Sequence, residues 1–357
     1  DSFLYPGHSA YRMHGTASRT GGELIGALSR AVDAAEIPIV TNAHVTGLFA
    51  DADGHIRGVR FQRPDGTVED FGCGALILAC NGFGGNPAMV AELIPDMREA
   101  DYFGHRGNQG DAILWARELG AGLGDLGSFQ GHGSVAQPHG ILITWALMME
   151  GGIQVNREGH RFSNEHGGYS EQAVAMLAQA GGTAWNLYDA RIHEFARAGF
   201  PDYREALAAG AIREGASIAK LAAATGLPEA ALAETLEAVG RFQSGAQADP
   251  FGRDFTEKPP LAPPYFAVKV TGALFHTQGG LMIDGSARVS ADMSQVWSGR
   301  PFVGALAEDD RVQIPITQLL GPGYSGGLGD GNLYVTDLNN HTIRKVTPAG
   351  VVTTFAG

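Results

Sequence analysis

The spacing of apolar positions changes several times along this chain, and each change marks an element. Leu24, Ile25, Leu28, Ala31, Val32 and Ala35 recur at helical spacing after Ser18-Arg19-Thr20. Glu23 follows Thr20 by three residues, the spacing of a capping box. Residues 37–40 read as a short buried strand. Residues 45–49, 55–62 and 67–71 alternate apolar and polar and are broken by Asp53-Gly54 and Asp65-Gly66, which predicts a small antiparallel meander. Residues 75–80, A-L-I-L-A-C, are continuously apolar, as expected of a strand covered on both faces. That run ends in N-G-F-G-G-N and a predicted helix from Pro87. Ligands of open α/β sheets bind beyond such strand ends.

Further on, the pattern predicts a helix over 111–120, a hairpin over 153–162 around Asn156-Arg157-Glu158-Gly159, a helix over 170–180 and a strand over 184–188. Residues 190–242 are alanine-rich and helical in pieces, with starts at Ser217 and Pro228 and stops at Gly226 and Gly240. Residues 249–264 form a proline-rich return linker. A β-rich run over 265–271 and a second apolar run over 281–284 enclose His276 and the pair Gly279-Gly280. Read locally, this is either a tight hairpin with a surface histidine or a turn facing a ligand. Paired glycines let a backbone approach a flat molecule, and a histidine there donates a hydrogen bond. In the tail, Leu333, Val335, Ile343, Lys345 and Thr347 around Asn339-Asn340 predict a hairpin.

A chain of 357 residues holds two domains and a sizeable core. A net charge of -13 with 18% charged residues argues against nucleic acid or an anionic membrane as partner. No apolar run reaches bilayer-spanning length. Two cysteines, Cys73 and Cys80, fit a reducing compartment, so a cytoplasmic location is expected. No metal site is expected. The 52 glycines sit at turns between patterned segments, which suits a backbone that lines a large cofactor.

Four stretches then point to a family: A-L-I-L-A-C-N-G-F-G-G-N, G-N-Q-G-D-A-I-L-W-A-R-E-L-G-A, G-G-I-Q-V-N-R-E-G-H-R-F-S-N-E and P-P-Y-F-A-V-K-V-T-G-A-L-F-H-T-Q-G-G-L-M-I-D. In this order they resemble the FAD-dependent oxidoreductases that include fumarate reductases, succinate dehydrogenase flavoproteins and 3-ketosteroid dehydrogenases. The resemblance covers roughly residues 1–331. It implies an α/β FAD-binding domain with an inserted α+β substrate-capping domain. The expected divisions are 1–96, first part of the FAD domain; 97–264, capping domain; 265–331, second part; and 332–357, a β-hairpin tail resembling a single NHL repeat. No G-x-G-x-x-G follows a buried strand near the start, so the FAD domain is expected to be incomplete, without its first βαβ unit.

The resemblance implies hydride transfer between FAD and a carbon next to a carbonyl or carboxylate, with a proton moved at the adjacent carbon. Tyr169 follows R-F-S-N-E-H-G-G. Fumarate reductases carry a proton-delivering arginine there, and the 3-ketosteroid type carries a tyrosine that accepts the proton. His276 aligns with the histidine that binds the substrate oxygen, and His132 with the other site histidine. The resemblance further implies that Gly323 presents its backbone N–H to the flavin or to a substrate carbonyl. The fumarate-type glutamate and arginine of the proton pathway fall on Trp145 and Met148, and the second carboxylate clamp falls near Tyr324. Arg157 and Arg161 read as structural. For FAD, the implied contacts are the Val45 backbone to adenine, Ala79, Asn81 and Gly82 to the ADP moiety, Gly279 and Gly280 beside the flavin, and Glu308 to the ribityl chain. The expected partner is a small enone, ketone or carboxylate, with an unknown electron partner. The competing expectation is a non-catalytic flavoprotein fragment joined to a propeller-type binding repeat.

Overall fold

A computed structural model describes residues 15–18, 21–51 and 54–290, together with the backbone of 333–337, 342–346 and 352–356. Thr20, Glu308, Gly323 and Tyr324 lie outside the described residues. In chain order the elements are α1 (Gly21–Ala34), β1 (His44–Ala50), β2 (Ile56–Gln62), β3 (Val68–Gly72), α2 (Pro87–Leu93), β4 (Asp101–Tyr102), α3 (Asp111–Glu118), β5 (Leu123–Gly124), β6 (Phe129–Ala136), β7 (Ile141–Leu142), α4 (Ala146–Met149) and β8 (Ile153–Val155). They continue with α5 (Glu171–Leu177), β9 (Thr183–Asp189), α6 (Ala190–Gly199), α7 (Pro201–Ala208), β10 (Ile212–Gly215), α8 (Ile218–Thr225), α9 (Glu229–Gln243), β11 (Tyr265–Thr277), β12 (Gly280–Leu281), β13 (Leu333–Asp337), β14 (Thr342–Val346) and β15 (Val352–Ala356). The chain divides into two units. Of the described residues, one contains 90–104 and 129–276, and the other contains 15–18, 21–51, 54–89, 105–128, 277–290 and the strands β13–β15.

The first unit is built on a seven-stranded sheet in the order β7-β6-β11-β9-β8, with β10 and β4 also paired to β11. The alternation of β11 explains its central place. Phe266, Val268 and Val270 enter one core with Tyr188, Ile192, Tyr203 and Met148. Tyr265 and Ala267 enter a second core with Leu187, Leu221, Leu232 and Phe242. Both faces are therefore covered, and the strand is nearly all buried. The helix signals act as read at Ser217, whose hydroxyl accepts from Lys220 N, and at Gly226, which closes α8 with φ of 77°. Gly240 does not end α9, which continues to Gln243. Burial of Phe242 outweighs the ~1 kcal/mol that a mid-helix glycine costs.

Two sequence expectations change here. The strand before Gly279 does not stop at Thr271; it runs thirteen residues to Thr277, because Ala273 and Leu274 are buried and pair with Asp101 and Tyr102 of β4. His276 is thus a strand residue, and β12 pairs with β5, so the tight-hairpin reading does not hold. In 153–162 only the first arm is a strand, because β8 pairs with β9 and the rest forms a turn closed by Asn156 and His160.

In the second unit the meander forms as read, β1 to β2 to β3, all antiparallel. Glu23 caps α1 by accepting from the backbone and hydroxyl of Ser18. No residue of α1 is buried. Residues 37–40 and 75–80 form no strand and pair with none among the described residues, and Ile39, Val40 and Ile77 are exposed. An apolar run becomes a strand only beside a partner that takes its backbone groups. Leu78, Ala79 and Cys80 instead pack on Ala112, Ala116, Leu281 and Ile283. The tail strands form an antiparallel sheet of three, β13-β14-β15. Among the described residues no helix is long and apolar enough to cross a membrane.

Candidate active site

The site begins with the sequence Gln130-Gly131-His132-Gly133-Ser134 on β6. A methyl group on Gly131 would lie 2.8 Å from the Ala173 Cβ, one on Gly133 2.9 Å from Gln172, and one on Gly272 of β11 2.6 Å from the Ala173 carbonyl. These three glycines let α5 lie directly on the two strands. Gly131 N donates to Ser170 Oγ at 2.9 Å and Gly133 N to the Tyr169 carbonyl at 2.9 Å. The residue that enters the helix, Tyr169, is thereby fixed beside Gln130 and His132.

Four rings form a continuous stack: Phe103 on Phe275 at 5.2 Å, Phe275 on His132 at 5.3 Å, and His132 on Tyr169 at 5.3 Å. Trp145 meets His132 edge-on at 5.8 Å. Burial among these rings holds the His132 pKa down at about 3, so the imidazole is neutral. Among the described residues, His132 Nδ1 and Trp145 Nε1 are buried without a hydrogen-bond partner.

Gln130 joins the two residues expected to handle protons and substrate oxygen. Its Nε2 donates to the Tyr169 hydroxyl at 2.8 Å, and its Oε1 lies within hydrogen-bond distance of His276 Nε2. Burial pushes the Tyr169 phenol above its ordinary pKa, and the Gln130 donor pulls it back. The sequence reading missed Gln130. The available signal was its position two residues before His132 in a strand, which puts both on one face.

The arginines nearby are held by carboxylates. Arg157 pairs with Glu158 at the surface. Arg161 is bound to Glu165 and Asp249, and Arg253 to Glu165, all of them nearly fully buried. Arg253 also donates to the carbonyls of Gly152 at 2.8 Å and Met148 at 2.9 Å. His166 Nε2 lies 3.1 Å from the same Met148 carbonyl. From Glu165 the buried polar chain continues through Gln154 N and the Gln154 side chain to Asn186, Gly133 O and Ser134. Trp145 and Met148 are buried apolar residues. Arg253 lies on the segment read only as a return linker.

The expected cofactor contacts fall in the second unit. Val45 lies on β1 opposite Phe61. Asn81 has φ of 60°, and its side chain accepts from Gly82 N at 2.8 Å. A methyl group on Gly82 would lie 2.0 Å from Thr277 Oγ1, the atom that accepts from Phe83 N at 3.2 Å. A methyl group on Gly279 would lie 2.2 Å from the Asp125 carbonyl. Gly280 pairs with Gly124. The half-buried segment 75–80, without a strand partner among the described residues, runs into a left-handed turn at Asn81.

The FAD binding domain family matches residues 5–312. A probable fumarate reductase of Shewanella frigidimarina is 30% identical over 281 residues, which is 78% of this chain and 47% of that protein. A 3-oxosteroid 1-dehydrogenase of Mycolicibacterium smegmatis is 26% identical over 351 residues, 87% of this chain and 60% of that protein. The open conformation of a flavocytochrome c3 fumarate reductase superposes with a TM-score of 0.66 and 29% identity, covering 79% of this chain and 49% of that one. The chain spans about half the length of the fumarate reductases it matches. The family match ends before the tail, whose likeness to an NHL repeat gains no support from these comparisons. With most of its length matched, the chain belongs to the FAD binding domain family, has the mixed helix-and-sheet fold of the fumarate reductase flavoproteins, and has FAD as its family cofactor.

Proposed function

We propose that the protein to which this chain belongs is an FAD-dependent oxidoreductase of a carbon–carbon bond next to a carbonyl, with Tyr169 as acid/base. The observation that carries this reading is the line Tyr169–Gln130–His276, which joins a phenol and an imidazole through one carboxamide. The unit built on the seven-stranded sheet is the substrate-binding part. The unit with residues 79–82 is the cofactor part. Bound FAD supplies the hydride acceptor or donor.

The remaining chemistry belongs to this chain. Burial keeps Tyr169 protonated at neutral pH, so in the reducing direction it is poised as a proton donor. In the oxidising direction it accepts the proton, helped by the Gln130 donor at its oxygen. His276 binds the substrate oxygen. His132, neutral inside the ring stack, shapes an apolar wall and carries no charge.

The substrate class follows from where the cations are. A dicarboxylate calls for planar cationic clamps. Among the described residues, Arg161 and Arg253 are bound to Glu165 and Asp249, and Trp145 and Met148 are apolar; Tyr324, near the expected second clamp, lies outside the described residues. An uncharged enone or ketone, or a monocarboxylate, therefore suits the site better than fumarate. In the full-length FAD-loaded protein, Tyr169→Phe should lower enone turnover by roughly 10²–10⁴-fold, the range for a positioned acid or base. Fast fumarate reduction that is indifferent to Tyr169 would overturn both the role and the substrate class.

A further inference from the structure

Gly133 follows His132 on β6 and is held from three sides. Its N–H donates to the Tyr169 carbonyl at 2.9 Å, and its own carbonyl accepts from Gln154 Nε2 at 2.9 Å. A methyl group on its Cα would lie 2.9 Å from Gln172, which is on α5 three positions after Tyr169. The Gln172 amide donates to Gln154 Oε1 at 2.7 Å and to Ser163 Oγ. These contacts close a ring. It runs from Gly133 to Tyr169, along the start of α5 to Gln172, across to Gln154, and back to Gly133. Asn186 adds a hold one residue further along β6. Its Oδ1 accepts from Gln154 Nε2 at 2.8 Å, and its Nδ2 donates to Ser134 Oγ at 2.7 Å.

Gln154 is where this ring joins the charged network. It is 1% exposed, and its backbone N–H donates to Glu165 at 3.0 Å. Both amide protons and the amide oxygen of its side chain are used. An apolar side chain there would leave the Gly133 carbonyl, the Asn186 oxygen and the Gln172 amide short of a partner, and a half-satisfied buried network loses its fixed geometry. We propose that Gln154 is a positioning residue: through this ring it sets the place of Tyr169 against His132, and so holds the phenol where the substrate carbon exchanges its proton. Aromatic contact alone does not do this. His132 stacks with Phe275 and with Tyr169, each at 5.3 Å. Stacked rings tolerate a range of offsets, whereas hydrogen bonds are directional. The segment that carries Tyr169 is pinned at its own carbonyl by Gly133 and, three residues on, at Gln172 by Gln154.

This inference rests on the reading of Tyr169 as the proton-transferring residue, and its test separates the two. In the full-length FAD-loaded protein, reoxidation of the reduced flavin by cyclohex-2-enone is followed in wild type, Gln154→Met, Tyr169→Phe and the double variant. Gln154→Met keeps the length of the side chain and removes its hydrogen bonds. It should slow the saturating rate roughly 10–100-fold, the scale of a misplacement of about 1 Å, with little change in the half-saturating enone concentration. In the Tyr169→Phe background it should change the rate by less than about twofold, because the group it positions is gone. An equal loss in both backgrounds, or no loss in the wild-type background, would overturn the proposal. The NMR signal of the His132 Cε1 proton, identified with His132→Phe, reads position without turnover. Ring currents from Tyr169 and Phe275 displace it, and Gln154→Met should move it toward its ordinary place. A signal that stays put overturns the positioning role. A Tyr169→Phe rate equal to wild type would sink the reading of Tyr169 instead, and the His132 signal then decides for Gln154. Should Gln154→Met not fold, Gln172→Met breaks the same ring at α5 and is judged by the same two measurements.

Discussion

Glu165→Gln tests the charged network that carries the R-F-S-N-E motif. Glu165 accepts from Gln154 N at 3.0 Å, from Arg161 at 2.8 and 2.7 Å, and from Arg253 at 3.1 Å. Burial by itself would raise this carboxyl. The Arg161 hydrogen bonds and the charges of Arg253 and Arg161 more than offset it and hold the pKa at about 2. Relative to an ordinary 4.5, that depression corresponds to roughly 3 kcal/mol at neutral pH. The substitution keeps the shape and removes the charge, leaving Arg161 paired with Asp249 and the buried Arg253 guanidinium with the Gly152 and Met148 carbonyls. Breaking a buried pair from one side costs about 3–5 kcal/mol, which agrees with the linkage figure.

The pH dependence has a fixed sign. A depressed carboxyl contributes its full stability above the unfolded pKa and loses it as pH falls toward the folded value. The stability gap between wild type and Glu165→Gln should therefore be about 3 kcal/mol at pH 7 and should shrink by about 1.4 kcal/mol per pH unit below about 4.5. Urea unfolding of both proteins at several pH values measures it. A gap under about 1 kcal/mol, within the range of surface substitutions, would refute the assignment. A gap that does not change with pH would refute the depressed carboxyl pKa assigned to Glu165.

Two further outcomes follow from the packing around Tyr169. His132 has a lowered pKa, so its neutral form is favoured by folding, and stability should fall by about 1.4 kcal/mol per pH unit from about 6.5 down toward about 3. His132→Phe keeps the ring stack and should remove that slope, as read from urea midpoints; an unchanged slope would mean the imidazole is not buried neutral. Gly272→Ala places a methyl group 2.6 Å from the Ala173 carbonyl, so α5 must shift, at about 1–3 kcal/mol by thermal unfolding. Unchanged stability would mean that α5 does not rest on β11.

How legible the site was in sequence depended on where each residue's partners lie along the chain. Tyr169 could be singled out as a candidate because its motif is contiguous, and α5 starts within one residue of where the spacing says. His276 was read as a turn residue because what extends β11 to Thr277 is pairing with Asp101 and Tyr102, some 170 residues away. Local alternation cannot announce such a partner. Gln130 was missed because a neutral amide carries no charge or motif; its importance comes from reaching two groups, one of them 146 residues distant. Arg253 was hidden among prolines, in a segment that looks like a connector until its guanidinium is seen to hold Glu165 and the Met148 carbonyl. Residues 37–40 and 75–80 were misread in the opposite direction. Their apolar runs are intrinsically strand-like, yet a strand requires a neighbour's backbone, and no described residue supplies one. The polar links that organise the site, Gln130 to His276 and Arg253 to Glu165, are long-range, directional and built from residue types common on any surface. Apolar periodicity located the sheet and helices that hold them. Only the three-dimensional contacts show which glutamine and which arginine those elements were holding.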